Sequence, residues 1–190
     1  MSEPLNKIAA EPEKQRRSLH CAAKPVIIGE SVVVKKKQIK CVCEERVRAF
    51  MRMLRIGEGT DTETGYTTAF GKNKITDLNK HPEKDYGGST AAGAYQIMRY
   101  VYWWLNGEKL TDKYKKAGIY EESHDYMKKY NITDFRQESQ DKLCIIIMKH
   151  KRPGLLDLIK KGEIEKAIRS IASLEWANLP HEGDIQLLQI

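Results

Sequence analysis

Apolar positions recur at helical spacing between Glu44 and Ile56. Val47, Phe50, Met51 and Leu54 fall at i, i+3, i+4 and i+7, so they share one face. Glu44 and Glu45 stand in the first turn, where carboxylates favour the positive end of the helix dipole. Gly57 is expected to stop this helix in a left-handed cap. Glu58 then lies between two glycines, just past the last turn. A long span from Gly57 to Gly88 has little periodicity, with a short strand expected at Thr67–Phe70. Ser89 and Thr90 are expected to cap a helix starting near Ala91, its inner face set by Met98, Val101, Tyr102 and Leu105 and its end at Asn106-Gly107. Asp112 to Tyr130 is highly charged and reads as one or two short surface helices. Ser139 is expected to cap an apolar helix carrying Leu143, Ile146, Ile147 and His150. His150 reads as a boundary residue rather than a catalyst. Pro153 suits the first turn of a helix from Leu155 to Lys160, ended by Gly162. A last helix uses Ile164, Ala167, Ile168 and Ile171.

Upstream, residues 1–24 are polar and read as a flexible arm. Val26–Ile28 and Val32–Val34 are β-branched runs around Gly29-Glu30, which suggests a small β-ribbon. Lys35–Lys37 read as a solvated edge. The expected organisation is a basic extension at 1–43, a main domain at 44–180 and a tail at 181–190.

Charge sharpens that division. The 190-residue chain carries a net charge of +7, yet residues 1–48 hold 11 Lys/Arg against 6 Asp/Glu, which leaves the rest only +2. The near-neutral main domain argues against a specific nucleic-acid partner. No apolar run approaches the ~20 residues that span a bilayer, and the N-terminus has no apolar signal core. Membrane insertion and a secretory signal are therefore not expected. Four cysteines, Cys21, Cys41, Cys43 and Cys144, do not fall at zinc-site spacings, with or without His20. Cys41 and Cys43 would share a face on a strand, and Cys144 reads as a buried thiol. No metal and no cofactor is expected.

The chemistry points to Glu58. A carboxylate that borders a cleft while leaning on a core has its pKa raised, which suits a general acid near neutral pH. Ordered motifs add to this. Gly57-Glu58-Gly59-Thr60, Gly65-Tyr66 with Phe70-Gly71, Ile75-Thr76-Asp77, His81-Pro82, Ser89-Thr90-Ala91-Ala92-Gly93-Ala94-Tyr95-Gln96, Ser139-Gln140-Asp141 and Trp176-Ala177-Asn178-Leu179-Pro180 follow one another in the chain. In order and spacing this series resembles the lambda-type phage endolysins, a branch of the lysozyme-like superfamily, over about residues 44–180. Two departures stand out. Lys80 precedes His-Pro where the family often has Asp, and the chain ends soon after the tryptophan motif.

The resemblance implies an α+β, lysozyme-like fold, mostly helical, with a small β-lobe and a substrate cleft. It implies cleavage of the β-1,4 bond between N-acetylmuramic acid and N-acetylglucosamine, with lytic transglycosylase chemistry that leaves a 1,6-anhydro ring. Glu58 would be the catalytic residue. Thr60, Tyr66, Asp77, Ser89, Tyr95 and Gln96 would be the substrate-binding set, with Asp77 also able to order its loop and Ser89 to cap a helix. Phe70 could stack on a sugar face, whereas Trp103 and Trp104 are expected in the core. The implied partner is the peptidoglycan glycan strand, with an immunity or inhibitor protein as a further candidate, and the expected state is a monomer. Such an enzyme would be made in the bacterial cytoplasm and reach the wall after holin release, or by delivery as an effector. A lysozyme-type hydrolase and a non-catalytic peptidoglycan-binding module remain as alternatives.

Overall fold

Helix α1, Val42–Gly57, sets the frame. The computed structural model describes residues 42–112 and 115–181. The arm, the ribbon, Lys35–Lys37, Cys21, Cys41 and the tail beyond 181 lie outside the described residues. Phe50, Met51 and Leu54 are buried on the face read from their spacing, and Val47 packs beside them. Burial of each large side chain contributes roughly 1.5–3 kcal/mol. Cys43 lies within α1 rather than on a strand, because the helix begins earlier than the pattern indicated. Gly57 is the last helical residue and its φ is not positive. The left-handed turn comes two residues later, at Gly59 with φ 68°.

After the α1 turn, β1 (Thr68–Ala69) and β2 (Asn73–Lys74) form a two-residue antiparallel ribbon, with Thr68 opposite Lys74. Single bridges from Ala69 to Ala92 and from Ala92 to Ile97 extend it. Those bridges correct the helix expected from Ala91. Gly93 at φ 78° and Gln96 at φ 46° interrupt the backbone, so α2 spans only Arg99–Leu105. Thr90 still serves that helix, since its Oγ1 accepts from the Arg99 N–H at 3.1 Å.

The charged stretch also differs from expectation. Asn106–Asp112 (β3) and Lys115–Asp125 (β4) form an antiparallel hairpin with several register shifts, followed by the four-residue α3, Tyr126–Lys129. Helix α4 (Gln137–Ile146) runs on into one π turn through Lys151. Ser139 does not cap it; its hydroxyl donates to Asp134 Oδ1 at 2.5 Å. Helix α5 (Leu155–Lys161) starts after Gly154, so Pro153 lies just outside it. Gly162, at φ 85°, ends it as expected. A short α6 (Ile164–Lys166) continues through a π turn and a 3-10 turn to Leu174.

The core joins α1, α2, α4 and α5 around fully buried Leu54, Leu105, Phe135, Leu143 and Leu155. Cys144 is a buried thiol within it. Trp103 and Trp104 pack against the core but are only partly buried. His150 sits at its boundary, stacked on Tyr126 at 4.5 Å and bonded through Nε2 to the Tyr130 hydroxyl at 2.8 Å. Helices around small antiparallel ribbons make this an α+β architecture. Among the described residues no helix is long and apolar enough to cross a membrane, and no acidic, His or Cys cluster could hold a metal.

Candidate active site

Glu58 leaves the C-terminal end of α1 with its N–H still bonded to the Leu54 carbonyl at 2.9 Å. Its backbone is thus an extension of the helix, and the side chain inherits the rigidity of the core below. The carboxyl is half-buried and has no hydrogen-bond or ion-pair partner among the described residues. Burial pushes its pKa from 4.5 up to about 7, because the charged form loses solvation with nothing to replace it. A proton is therefore held near neutral pH and can be given up to a substrate oxygen.

The residues after Glu58 tie the acid to a second wall. Thr60 is buried, and its hydroxyl donates to the Ala94 carbonyl at 2.6 Å. Gly65 packs directly on this turn: a Cβ there would lie 1.9 Å from the Thr60 carbonyl oxygen. Glycine at 65 therefore answers a close approach of backbone to backbone. Thr60 stands behind the site as a brace, with its hydroxyl already committed.

The second wall is the turn Gly93–Gln96. Gln140, fully buried, holds it. Its Oε1 accepts from the Ala94 N–H at 2.8 Å, and its Nε2 donates to the carbonyls of Tyr66 (2.9 Å) and Phe135 (2.6 Å). Two of these three bonds, to Ala94 and Phe135, are buried, where a hydrogen bond is electrostatically stronger than in water. Gln96 is half-buried. Its amide nitrogen donates to the Gly93 carbonyl at 2.9 Å, which folds the side chain back on its own turn.

Tyr66 and Tyr95 are drawn together by Asp141. Both hydroxyls donate to Asp141 Oδ1, at 2.9 and 2.6 Å. Tyr95 is buried, and Tyr66 also carries the Arg55 guanidinium 4.9 Å above its ring. Burial and the Asp141 carboxylate push both phenol pKa values up. These two residues border a groove of about 350 Å³ between α1 and α4, lined also by Met51, Arg55 and Ile145. Glu58 does not line it. The acid with the shifted pKa therefore lies outside this groove.

Ser89 and Asp77 have local duties. The Ser89 hydroxyl accepts from the Ala91 N–H at 3.2 Å, and exposed Asp77 accepts from the Asn79 N–H at 2.8 Å. His81 is fully buried. Its Nδ1 accepts from the Glu83 N–H at 3.0 Å, so Nε2 carries the proton and donates to the Ile97 carbonyl at 2.8 Å. Burial lowers its pKa to about 4, which keeps the ring neutral.

Asp61 is the acid nearest to Glu58 in the chain. It is held by Arg52 at 3.1 Å and Arg55 at 3.0 Å. Two guanidiniums occupy this carboxyl group. Gln140, Asp141, Arg55 and Trp176, whose indole donates to the Tyr95 carbonyl at 3.3 Å, build the walls without having been singled out as site residues. The Ser-Gln-Asp and Trp-Ala-Asn motifs were their signal, but spacing alone could not say that they meet Ala94 and Tyr95 across more than forty residues.

Comparisons with known proteins bear on the family and the fold. The Endolysin family model matches residues 48–189. The endolysin of Escherichia phage P2 is 31% identical over 159 residues, spanning 73% of this chain and 82% of the phage protein. The lysozyme of bacteriophage lambda superposes with a TM-score of 0.56 at 28% identity, covering 78% of this chain and 86% of the lysozyme. A structure of lambda lysozyme complexed with a chitohexasaccharide gives 0.53 at 28% identity, over 80% of this chain and 89% of that one. A family match over most of the chain, on a lysozyme-like α+β scaffold with a proton-holding glutamate after the first helix, leaves one conclusion: the chain belongs to the endolysin family.

Proposed function

We propose that this protein cleaves the β-1,4 bond between N-acetylmuramic acid and N-acetylglucosamine in peptidoglycan as a lytic transglycosylase. The observation that carries the reading is the unpartnered Glu58 carboxyl, with its pKa near 7, at the end of α1. Protonated Glu58 gives its proton to the glycosidic oxygen as the C1–O4 bond breaks. The C6 hydroxyl oxygen of the muramic residue attacks C1, and the Glu58 carboxylate takes the hydroxyl proton. The products are a 1,6-anhydro-muramic end and a free C4 hydroxyl, with Glu58 returned to its protonated form. No water enters the sum.

A retaining hydrolase would place a second carboxylate ~5–5.5 Å from the acid, and an inverting one ~6.5–9.5 Å. Of the three acids near Glu58 in the chain, Asp61 and Asp77 are otherwise engaged and Glu63 is exposed to solvent. Asp61 is held by two arginines, and Asp77 is exposed and shapes its own loop. This supports a single-residue mechanism. Ser89, Gln96 and the exposed Phe70 ring are the proposed glycan-facing groups, with Tyr66 contributing at its half-buried ring. Thr60 and Tyr95 hold the walls, and Asp77 orders its own loop. The lambda lysozyme complex with a chitohexasaccharide supports a β-1,4-linked amino-sugar chain as ligand here. Release through a holin is the proposed route to the wall, with delivery as a secreted effector as the other setting.

The test is product identity. Purified peptidoglycan is digested and the new chain ends are weighed by mass spectrometry. Anhydro-muropeptides are expected. Hydrated reducing ends, heavier by one water, would establish a hydrolase in place of the transglycosylase.

A further inference from the structure

Gly57 does not need its missing side chain for backbone reasons, since its φ is not positive. The cause lies across the chain. A Cβ built on Gly57 would stand 2.2 Å from Asn178 Nδ2 and 3.4 Å from Asn178 Cγ. The Asn178 amide thus rests on the bare Cα of the residue immediately before Glu58. Its segment is well anchored. The Trp176 indole bonds to the Tyr95 carbonyl, Leu179 is buried, and the Leu179 N–H returns to the Trp176 carbonyl at 3.1 Å. Yet Asn178 itself is exposed, and among the described residues its side chain makes no hydrogen bond. An amide on an anchored segment, with two donors and an acceptor uncommitted, stands against the residue that precedes the acid. Nothing in the packing needs those polar atoms.

We propose that Asn178 is a substrate-binding residue. Its amide hydrogen-bonds the acetamido group or a ring hydroxyl of the N-acetylated sugar seated beside Glu58, and Gly57 is glycine to leave the amide room. This rests on the glycan-cleaving reading above. The chemistry suits an N-acetylated sugar because the Asn178 amide can donate to the acetyl oxygen or accept from the acetamido N–H.

The test is a double-mutant cycle in a Glu58→Gln background, which removes turnover. The probe is soluble glycan strands prepared from peptidoglycan and stripped of stem peptides, with binding measured by calorimetry. Asn178→Ala is expected to weaken binding by about fivefold, the loss of one hydrogen bond. Its Tm is expected to stay within about 1 °C, since the side chain supports nothing in the fold. Gly57→Ala is expected to weaken binding to a similar degree, because its Cβ displaces the amide. The double variant is expected to bind no worse than either single one. Binding by Asn178→Ala within about twofold of the background would overturn the proposal. So would losses that multiply in the double variant, or a Tm drop of several degrees in Asn178→Ala. If the Glu58→Gln protein with Asn178 intact fails to bind glycan strands at all, the glycan reading itself falls; binding that ignores Asn178 refutes this inference alone.

Discussion

The Thr60 hydroxyl donates to the Ala94 carbonyl at 2.6 Å, joining the turn after the acid to the turn of the opposite wall. The bond spans 34 residues of sequence and is buried at both ends. It makes the position of Glu58 relative to Gln96 a property of the fold. Thr60→Val keeps the shape and removes the donor, leaving the Ala94 carbonyl buried and unpaired. A stability loss of about 1–3 kcal/mol is expected by urea denaturation, with Thr60→Ser losing less.

Two glycines bear on the same junction. Gly93 has φ 78°, and a Cβ there would lie 2.2 Å from Gln140 Oε1, the acceptor for the Ala94 N–H. Gly93→Ala is expected to strain the backbone and expel that amide, at a cost of roughly 2–4 kcal/mol. Gly65→Ala meets the Thr60 carbonyl, which cannot rotate away as a side chain can. It is expected to be the worse of the two when soluble yield and Tm are compared.

Stability against pH carries two opposed contributions. His81 has its pKa lowered from 6.5 to about 4, so its contribution is complete above 6.5 and lost as pH falls toward 4. Glu58 has its pKa raised from 4.5 to about 7, so its contribution is complete below 4.5 and lost as pH rises through 7. Between about 4.5 and 6.5 the slopes cancel, one proton against one. Glu58→Gln removes one side of the balance. The variant is expected to be more stable than wild type at pH 8, by about 1–2 kcal/mol after allowing for the partial exposure of Glu58. It is also expected to lose stability steadily from pH 6.5 down to 4.5, where wild type stays level. Urea midpoints at half-unit pH steps would show this.

Activity should follow the protonated fraction of Glu58. kcat/KM on peptidoglycan is expected to be flat below pH ~7 and to fall up to tenfold per unit above it. Ionic strength must be held constant, because a chain of net charge +7 is drawn to an anionic wall. A profile unchanged from pH 6 to 9 would remove Glu58 from the acid role.

Much of α1 was legible because its apolar spacing is local and its face has one destination. The position of Glu58 past the helix was equally local. The function of Gly57 was not, since a cap and a close approach both call for glycine and only the distant Asn178 distinguishes them. The run Ala91–Ala94 has small helix-forming residues, but its backbone pairs with Ala69 and Ile97 instead, so non-local bridges overrode propensity. The charged stretch from Asp112 to Tyr130 misled for the same reason over all but its last turn, α3. Its lysines and glutamates favour a helix locally, whereas the β3–β4 hairpin is stabilised by cross-strand pairs such as Glu108–Lys116 and Lys109–Glu121. In the substrate-binding set the motifs mark segments and not the role of each side chain. They could not separate Thr60 and Tyr95, which brace the walls, from groups exposed to a ligand.

The most direct measurement compares wild type with Glu58→Gln in the release of soluble fragments from purified peptidoglycan, with folding verified by circular dichroism. Removing the only proton donor of the mechanism is expected to lower the rate by at least ~10²-fold while the protein stays folded. A Glu58→Gln protein that still dissolves the wall at a rate close to wild type would contradict the account.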